Sequence, residues 1–153
     1  MQKLGTISSG CFILLTATQA ALAQYTINTI ALTGDIAPGS GGETFHSLQS
    51  AALNSSGEIV FLGSSGTGVH NGLYTSSASG RAIQPLVFAG DIAPGSWQAF
   101  RNFFSPVINP SGEVLFLGST GTGTNNGLFR SVGGMVSAVA LQSDPVPGRP
   151  GST

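Results

Sequence analysis

The sequence contains few charged residues and almost no lysine. Only 7% of its residues are charged, the formal net charge is −1, and no lysine follows Lys3. The arginines are scattered along the chain instead of forming a stripe. Because nucleic-acid binding requires clustered positive charge, this composition excludes nucleic acid as a partner. The hydrophobic content of 41% is in turn too high for a disordered chain.

Cysteine is also nearly absent. Cys11 is the only one in the chain, and it lies in the N-terminal segment that we expect to be removed. The mature protein is therefore predicted to contain no disulfide and no cysteine ligand for a metal ion.

The first 23 residues have the pattern of a secretory signal peptide. Lys3 supplies the positive start, an uncharged and partly apolar stretch follows, and Ala21-Leu22-Ala23 forms a small-residue cleavage site. We predict cleavage after Ala23 and a secreted or cell-surface protein. The apolar stretch is short for a membrane span and no second one follows, so we expect no stable span in the mature chain.

The remainder of the chain, residues 24–153, is internally repeated. The segment GDIAPGS occurs at Gly34 and again at Gly90, while NSSGEIVFLG from Asn54 is matched by NPSGEVLFLG from Asn109, about 55 residues later. A third copy opens at Asp144. We divide the chain into unit 1 (about 28–82), unit 2 (about 83–138) and the start of a third unit (about 139–153). This pattern predicts either a fragment of a longer repeat protein or a chain that assembles with other copies.

Two kinds of turn recur in the units. In Asn-x-x-Gly the first residue hydrogen-bonds its own backbone and glycine accepts a left-handed conformation, and Pro-Gly is typical of a tight turn. The predicted structural turn residues are Asn54, Gly57, Asn109, Gly112, Asp35, Pro38, Gly39, Asp91, Pro94 and Gly95.

Each unit is predicted to be entirely β. Four consecutive apolar residues follow Glu58 and Glu113, which places bulk on both faces of a strand and indicates a sheet covered on both sides. We expect about four strands per unit, arranged as β-propeller-like blades, with an open β-solenoid as the alternative.

The acidic residues favour a structural interpretation. Five of the six acids occupy repeated positions, and a catalytic constellation is usually single and asymmetric. We predict no catalytic residue, no metal ligand and no cofactor, with calcium at the loop acids as the alternative. Glu43 is the acid without a counterpart in the other unit. Trp97 is the candidate ligand contact because it has no equivalent in unit 1, and an exposed aromatic ring can stack on a sugar.

These motifs resemble those of the bacterial choice-of-anchor tandem repeat proteins, which share an NxxGxxAF motif. The matching residues are Asn54, Gly57 and Phe61, then Asn109, Gly112 and Phe116. The resemblance implies an exported protein that acts at the cell surface. We expect a non-enzymatic repeat module that binds or scaffolds, with self-association or a surface polymer or protein as its partner. The alternative is a secreted glycan-active enzyme or a glycan-binding propeller.

Overall fold

The computed structural model describes residues 28–68, 70–77, 82–121 and 125–148, so the predicted signal segment lies outside it. Every regular element within these ranges is a β-strand. In chain order they are β1 (Phe45–Leu53), β2 (Ile59–Ser65), β3 (His70–Ser76), β4 (Ile83–Phe88), β5 (Phe100–Ile108), β6 (Val114–Thr120), β7 (Asn125–Val132) and β8 (Met135–Leu141).

The strands form two four-stranded antiparallel sheets. The first sheet has the order β1-β2-β3-β4 and the second β5-β6-β7-β8. This confirms the predicted all-β fold with about four strands per unit, while propeller or solenoid closure remains a prediction. The first sheet includes β4 and so extends past residue 82, where the sequence repeat was divided.

Local backbone features recur at equivalent places in the two sheets. The Asn-x-x-Gly turns connect β1 to β2 and β5 to β6, and their glycines have φ of 82° and 78°. Each first strand bulges two-thirds of the way along its length, with Ser50 and Ser105 at φ of 44° and 48°. Gly133 and Gly134 make a two-residue hairpin turn between β7 and β8, for which positive φ at both positions is required.

Each sheet has one aromatic and one aliphatic face, because side chains alternate along a strand. The aromatic face of the first sheet contains Phe45, Phe61 and Tyr74, and that of the second sheet contains Phe100, Phe116 and Phe129. The aliphatic faces contain Val60, Leu62 and Leu73 in the first sheet and Leu115, Leu117 and Leu128 in the second. Glycines lie beneath the aromatic rings. A Cβ on Gly63 would come within 2.9 Å of the Phe45 ring, so a larger residue there would displace it.

The two sheets stack with unlike faces in contact. Val60, Leu73 and Val87 from the first sheet are buried in one core with Phe103 and Phe116 from the second. Each buried side chain of this size contributes roughly 1.5–3 kcal/mol by leaving water. The repeat therefore packs the aliphatic face of one unit onto the aromatic face of the next.

The two outward faces differ. Ile30, Ala31 and Ala37 pack against the first sheet's aromatic face and cover part of it. These residues precede β1 and fold back over it. None of the residues that the structure describes covers the second sheet's aliphatic face in this way, and Leu117 there is 44% exposed.

Candidate functional site

The repeated aspartates fasten the start of each loop. The carboxylate Oδ2 of Asp35 accepts a hydrogen bond from the Leu32 backbone N–H at 2.8 Å, and that of Asp91 accepts one from Phe88 at 2.8 Å. Asp144 repeats the arrangement with Leu141 at 2.7 Å. All three carboxylates thus serve the backbone of their own loop.

The Asn-x-x-Gly turns are held by the asparagine side chain. Asn54 Oδ1 accepts from the backbone N–H groups of Ser56 at 3.0 Å and Glu58 at 2.9 Å, and its Nδ2 donates to Glu58 Oε2 at 2.7 Å. Asn109 makes the same three bonds with Ser111 and Glu113. Both copies of the turn are therefore held by the same set of hydrogen bonds.

The first turn also reaches the other unit, by bonds that the second turn does not repeat among the described residues. Asn54 Nδ2 donates to the Asn109 backbone carbonyl at 2.8 Å, and Ser56 Oγ donates to the Pro110 carbonyl at 3.2 Å. Asn54 is 8% exposed, so this contact is largely shielded from water. The bonds between the two turns thereby fix the position of one sheet relative to the other.

Glu43 lies at the centre of the one ionisable cluster in the described ranges that joins distant segments. Its Oε2 accepts from buried Ser65 Oγ at 2.8 Å and lies 2.9 Å from His70 Nδ1. Hydrogen bonds from His70 and then Ser65 lower the pKa of Glu43 below its ordinary value of 4.5, and desolvation opposes them. A pocket of about 220 Å³ adjoins the cluster and is lined by Ser40 and Phe88 as well.

The second unit carries a neutral version of this cluster. Gln98 stands where Glu43 stands, and Thr120 Oγ1 donates to Gln98 Oε1 at 3.5 Å. Sequence reasoning singled out Glu43 but missed its partners, because they are more than twenty positions away in the chain. One signal was present: Glu43 and His70 both depart from the repeat in the same unit.

A cleft of about 350 Å³ separates the two sheets at one edge. Its lining is neutral and mixed. The polar side chains include Gln49, Asn71 and Asn102, the apolar ones include Leu62 and Phe103, and the Asn71 amide donates to Asn102 Oδ1 at 3.2 Å. Among the described residues that line the cleft none is ionisable, so this lining suits a neutral ligand.

Trp97 projects from the loop that leads into β5. Its side chain is 91% exposed, and its backbone has a φ of 57°, a conformation that is costly for a bulky residue. The corresponding loop of unit 1 uses Gly41 and Gly42. Trp97 is not among the residues that line the cleft between the sheets, so the structure does not bring Trp97 and the cleft together in one site.

Neither a metal-binding cluster nor a membrane-spanning helix is found among the described residues. No group of three or more histidine, cysteine, aspartate or glutamate side chains there is arranged to hold a metal ion. Within the same ranges, no helix has the length and apolar character needed to cross a membrane.

Comparison with known proteins identifies a family. A family model described as "Family of unknown function (DUF7453)" matches residues 9–153. The match covers nearly the whole chain, and the chain belongs to this family. No curated protein and no solved structure matches the chain.

Proposed function

We propose that this member of family DUF7453 is an exported, non-enzymatic repeat module that acts by binding or scaffolding outside the cell. The observation that carries the proposal is that the acidic side chains form hydrogen bonds within the chain. All six carboxylates accept hydrogen bonds from their own chain: Asp35, Glu43, Glu58, Asp91, Glu113 and Asp144. Carboxylates that accept hydrogen bonds from their own chain stabilise the fold, and five of the six do so at repeated positions.

The extracellular location in this proposal is supported by the signal-like pattern of residues 1–23, which lies outside the described ranges. N-terminal sequencing of the secreted product tests it. We expect a mature chain that begins at Gln24, and an intact Met1 on extracellular protein would contradict the export proposal.

The competing proposal is a glycan-active enzyme centred on Glu43. It is favoured by the pocket beside Glu43, His70 and Ser65. Two features weigh against it. Glycoside hydrolysis commonly uses a pair of carboxylates, and among the described residues that line this pocket Glu43 is the one carboxylate. Ser65 is fully buried, which removes it as a nucleophile that a substrate reaches.

A glycan-binding and hydrolysis screen separates the two proposals. We expect binding without turnover, reduced by Trp97→Ala and retained in Glu43→Gln. Trp97 is so exposed that its truncation should change the free energy of unfolding by no more than about 0.5 kcal/mol. The Gln98 cluster of unit 2 shows that an amide is compatible with this position, so Glu43→Gln is a folded control. Turnover that Glu43→Gln abolishes would contradict the non-enzymatic proposal.

A further inference from the structure

The chain contains one example of how successive units bind each other. Val60 and Leu73 on the aliphatic face of the first sheet pack against Phe103 and Phe116 on the aromatic face of the second. The Asn54 amide adds a hydrogen bond to the Asn109 carbonyl at 2.8 Å. The contact between successive units thus combines apolar packing with a hydrogen bond that aligns the two sheets.

The second sheet presents the same binding elements outward. Leu117 occupies the place of Leu62 on its aliphatic face and is 44% exposed, while Val107, which pairs with Leu115 on the same face, is 53% exposed. An apolar patch of this kind on a folded protein marks an interaction surface. The Asn109 amide donates to Glu113 at 2.7 Å but, within the described ranges, has no second acceptor like the one that Asn54 has.

The first sheet presents the complementary elements. A groove of about 350 Å³ runs along its aromatic face, lined by Leu48, Ala51, Ile59 and Phe61 among others. The equivalent positions of the second sheet show what such a groove accommodates. Val114, the counterpart of Ile59, is 1% exposed because the first sheet covers it, and Pro106, the counterpart of Ala51, is buried although Ala51 is exposed.

From this complementarity we propose that a second copy of the chain docks head to tail, with the aliphatic face of its second sheet in the groove on the first sheet of its neighbour. In the docked pair the Asn109 amide of one copy donates to the Asn54 carbonyl of the other. The two faces differ, so two copies do not close the interface and further copies add to a growing chain. This inference deepens the scaffolding proposal and rests on it for its biological use.

One segment of the chain competes with the incoming copy. Ile30 and Ala31 pack on the aromatic face of the first sheet. The bond from the Leu32 N–H to Asp35 repeats the bond from the Phe88 N–H to Asp91 at the end of β4. Residues 28–32 are therefore the counterpart of β4, and they take the place that the fourth strand of a preceding unit would occupy. The incoming β8 must displace them. Docking therefore replaces the contact made by residues 28–32 with the contact made by a second copy. It is weaker than the contact between the two sheets of one chain, and it depends more on protein concentration.

Two single substitutions block the two faces separately. Leu117→Lys places a charge on the aliphatic face of the second sheet, and Ala51→Arg fills the groove on the first. Both positions face solvent in the single chain, so each variant should keep the wild-type unfolding transition. Ile92→Lys is the matched control, because Ile92 is 64% exposed in a loop outside both faces. Leu117→Ser and Ala51→Asp replace the larger side chains if either transition changes.

The measurement is mass by light scattering after size exclusion, over roughly two decades of protein concentration. We expect the mass of wild type and of Ile92→Lys to rise with concentration, and Leu117→Lys and Ala51→Arg to be monomeric alone. An equimolar mixture of these two blocked variants should form a dimer that does not grow, because one intact face of each remains.

Three results would overturn the proposal. They are a wild type that is monomeric at every concentration, blocked variants that remain monomeric when mixed, and an Ala51→Arg variant that still forms dimers by itself. The last result would indicate two copies of the same face in contact. Glycan binding, measured where wild type is monomeric, is independent of all three, so failure of docking and failure of the proposed function are distinguishable.

Discussion

At the scale of single residues, Tyr74 marks a difference between the two units that lowers the stability of the first sheet. Its side chain is fully buried in the first aromatic cluster, and its hydroxyl has no hydrogen-bond partner among the described residues. Burial, with a smaller effect of the Glu43 carboxylate, raises the pKa of Tyr74 above its ordinary value of 10.0. The second sheet has Phe129 at the equivalent position, stacked on Phe116 as Tyr74 is on Phe61.

We therefore predict that Tyr74→Phe stabilises the protein. Removing a buried hydroxyl that lacks a partner should raise the free energy of unfolding by about 1 kcal/mol. Phe129→Tyr is the reverse control and should lower it by a similar amount. Urea unfolding of both variants measures the effect. A destabilised Tyr74→Phe would show that the hydroxyl is hydrogen-bonded in solution.

At the scale of elements, the Asn-x-x-Gly turns have two functions that the repeat allows one to separate. Both asparagines hold their own turn by the same three hydrogen bonds. Asn54 additionally bonds the Asn109 carbonyl, which belongs to the other sheet. The first turn is thus a local cap and also a connection between the sheets.

We predict that Asn54→Ala destabilises the monomer more than Asn109→Ala. Both variants lose the bonds within the turn, and only Asn54→Ala loses the largely buried bond between the sheets. The difference in the free energy of unfolding should be about 1 kcal/mol. Chemical unfolding at a concentration where the chain is monomeric measures it. Equal losses would mean that the bond between the turns contributes nothing to stability.

The elements themselves were largely predictable from the sequence. Both Asn-x-x-Gly turns mark hairpins, and the apolar runs after Glu58 and Glu113 are strands because each lies between two turn signals. The Glu43 cluster was not predictable, since nothing local shows that Glu43 meets Ser65 and His70. Neither was the cover over the first aromatic face. Ile30 and Ala31 reach it only because the loop at Asp35 turns the chain back over the sheet.

At the scale of the whole molecule, composition does not distinguish the two sheets, but position does. The runs Ile59–Leu62 and Val114–Leu117 are nearly identical, and the sequence predicted that both faces of each strand are covered. Leu73 is fully buried because the second sheet lies on it, whereas its counterpart Leu128 lies on the outward face and is half-buried. The order of stacking, which is a long-range property, decides which copy of a residue stabilises the fold.

The pair Leu73→Ala and Leu128→Ala tests this stacking most directly. Leu73→Ala leaves a cavity between the sheets and should lower the free energy of unfolding by about 2–5 kcal/mol. Leu128→Ala removes the same atoms from a half-buried site without leaving a cavity between the sheets, and should cost less, about 1–2 kcal/mol. Urea unfolding of both variants at a concentration where the chain is monomeric is the decisive measurement. We predict a clearly larger loss for Leu73→Ala, and equal losses would contradict the stacking of the aliphatic face of one unit onto the aromatic face of the next.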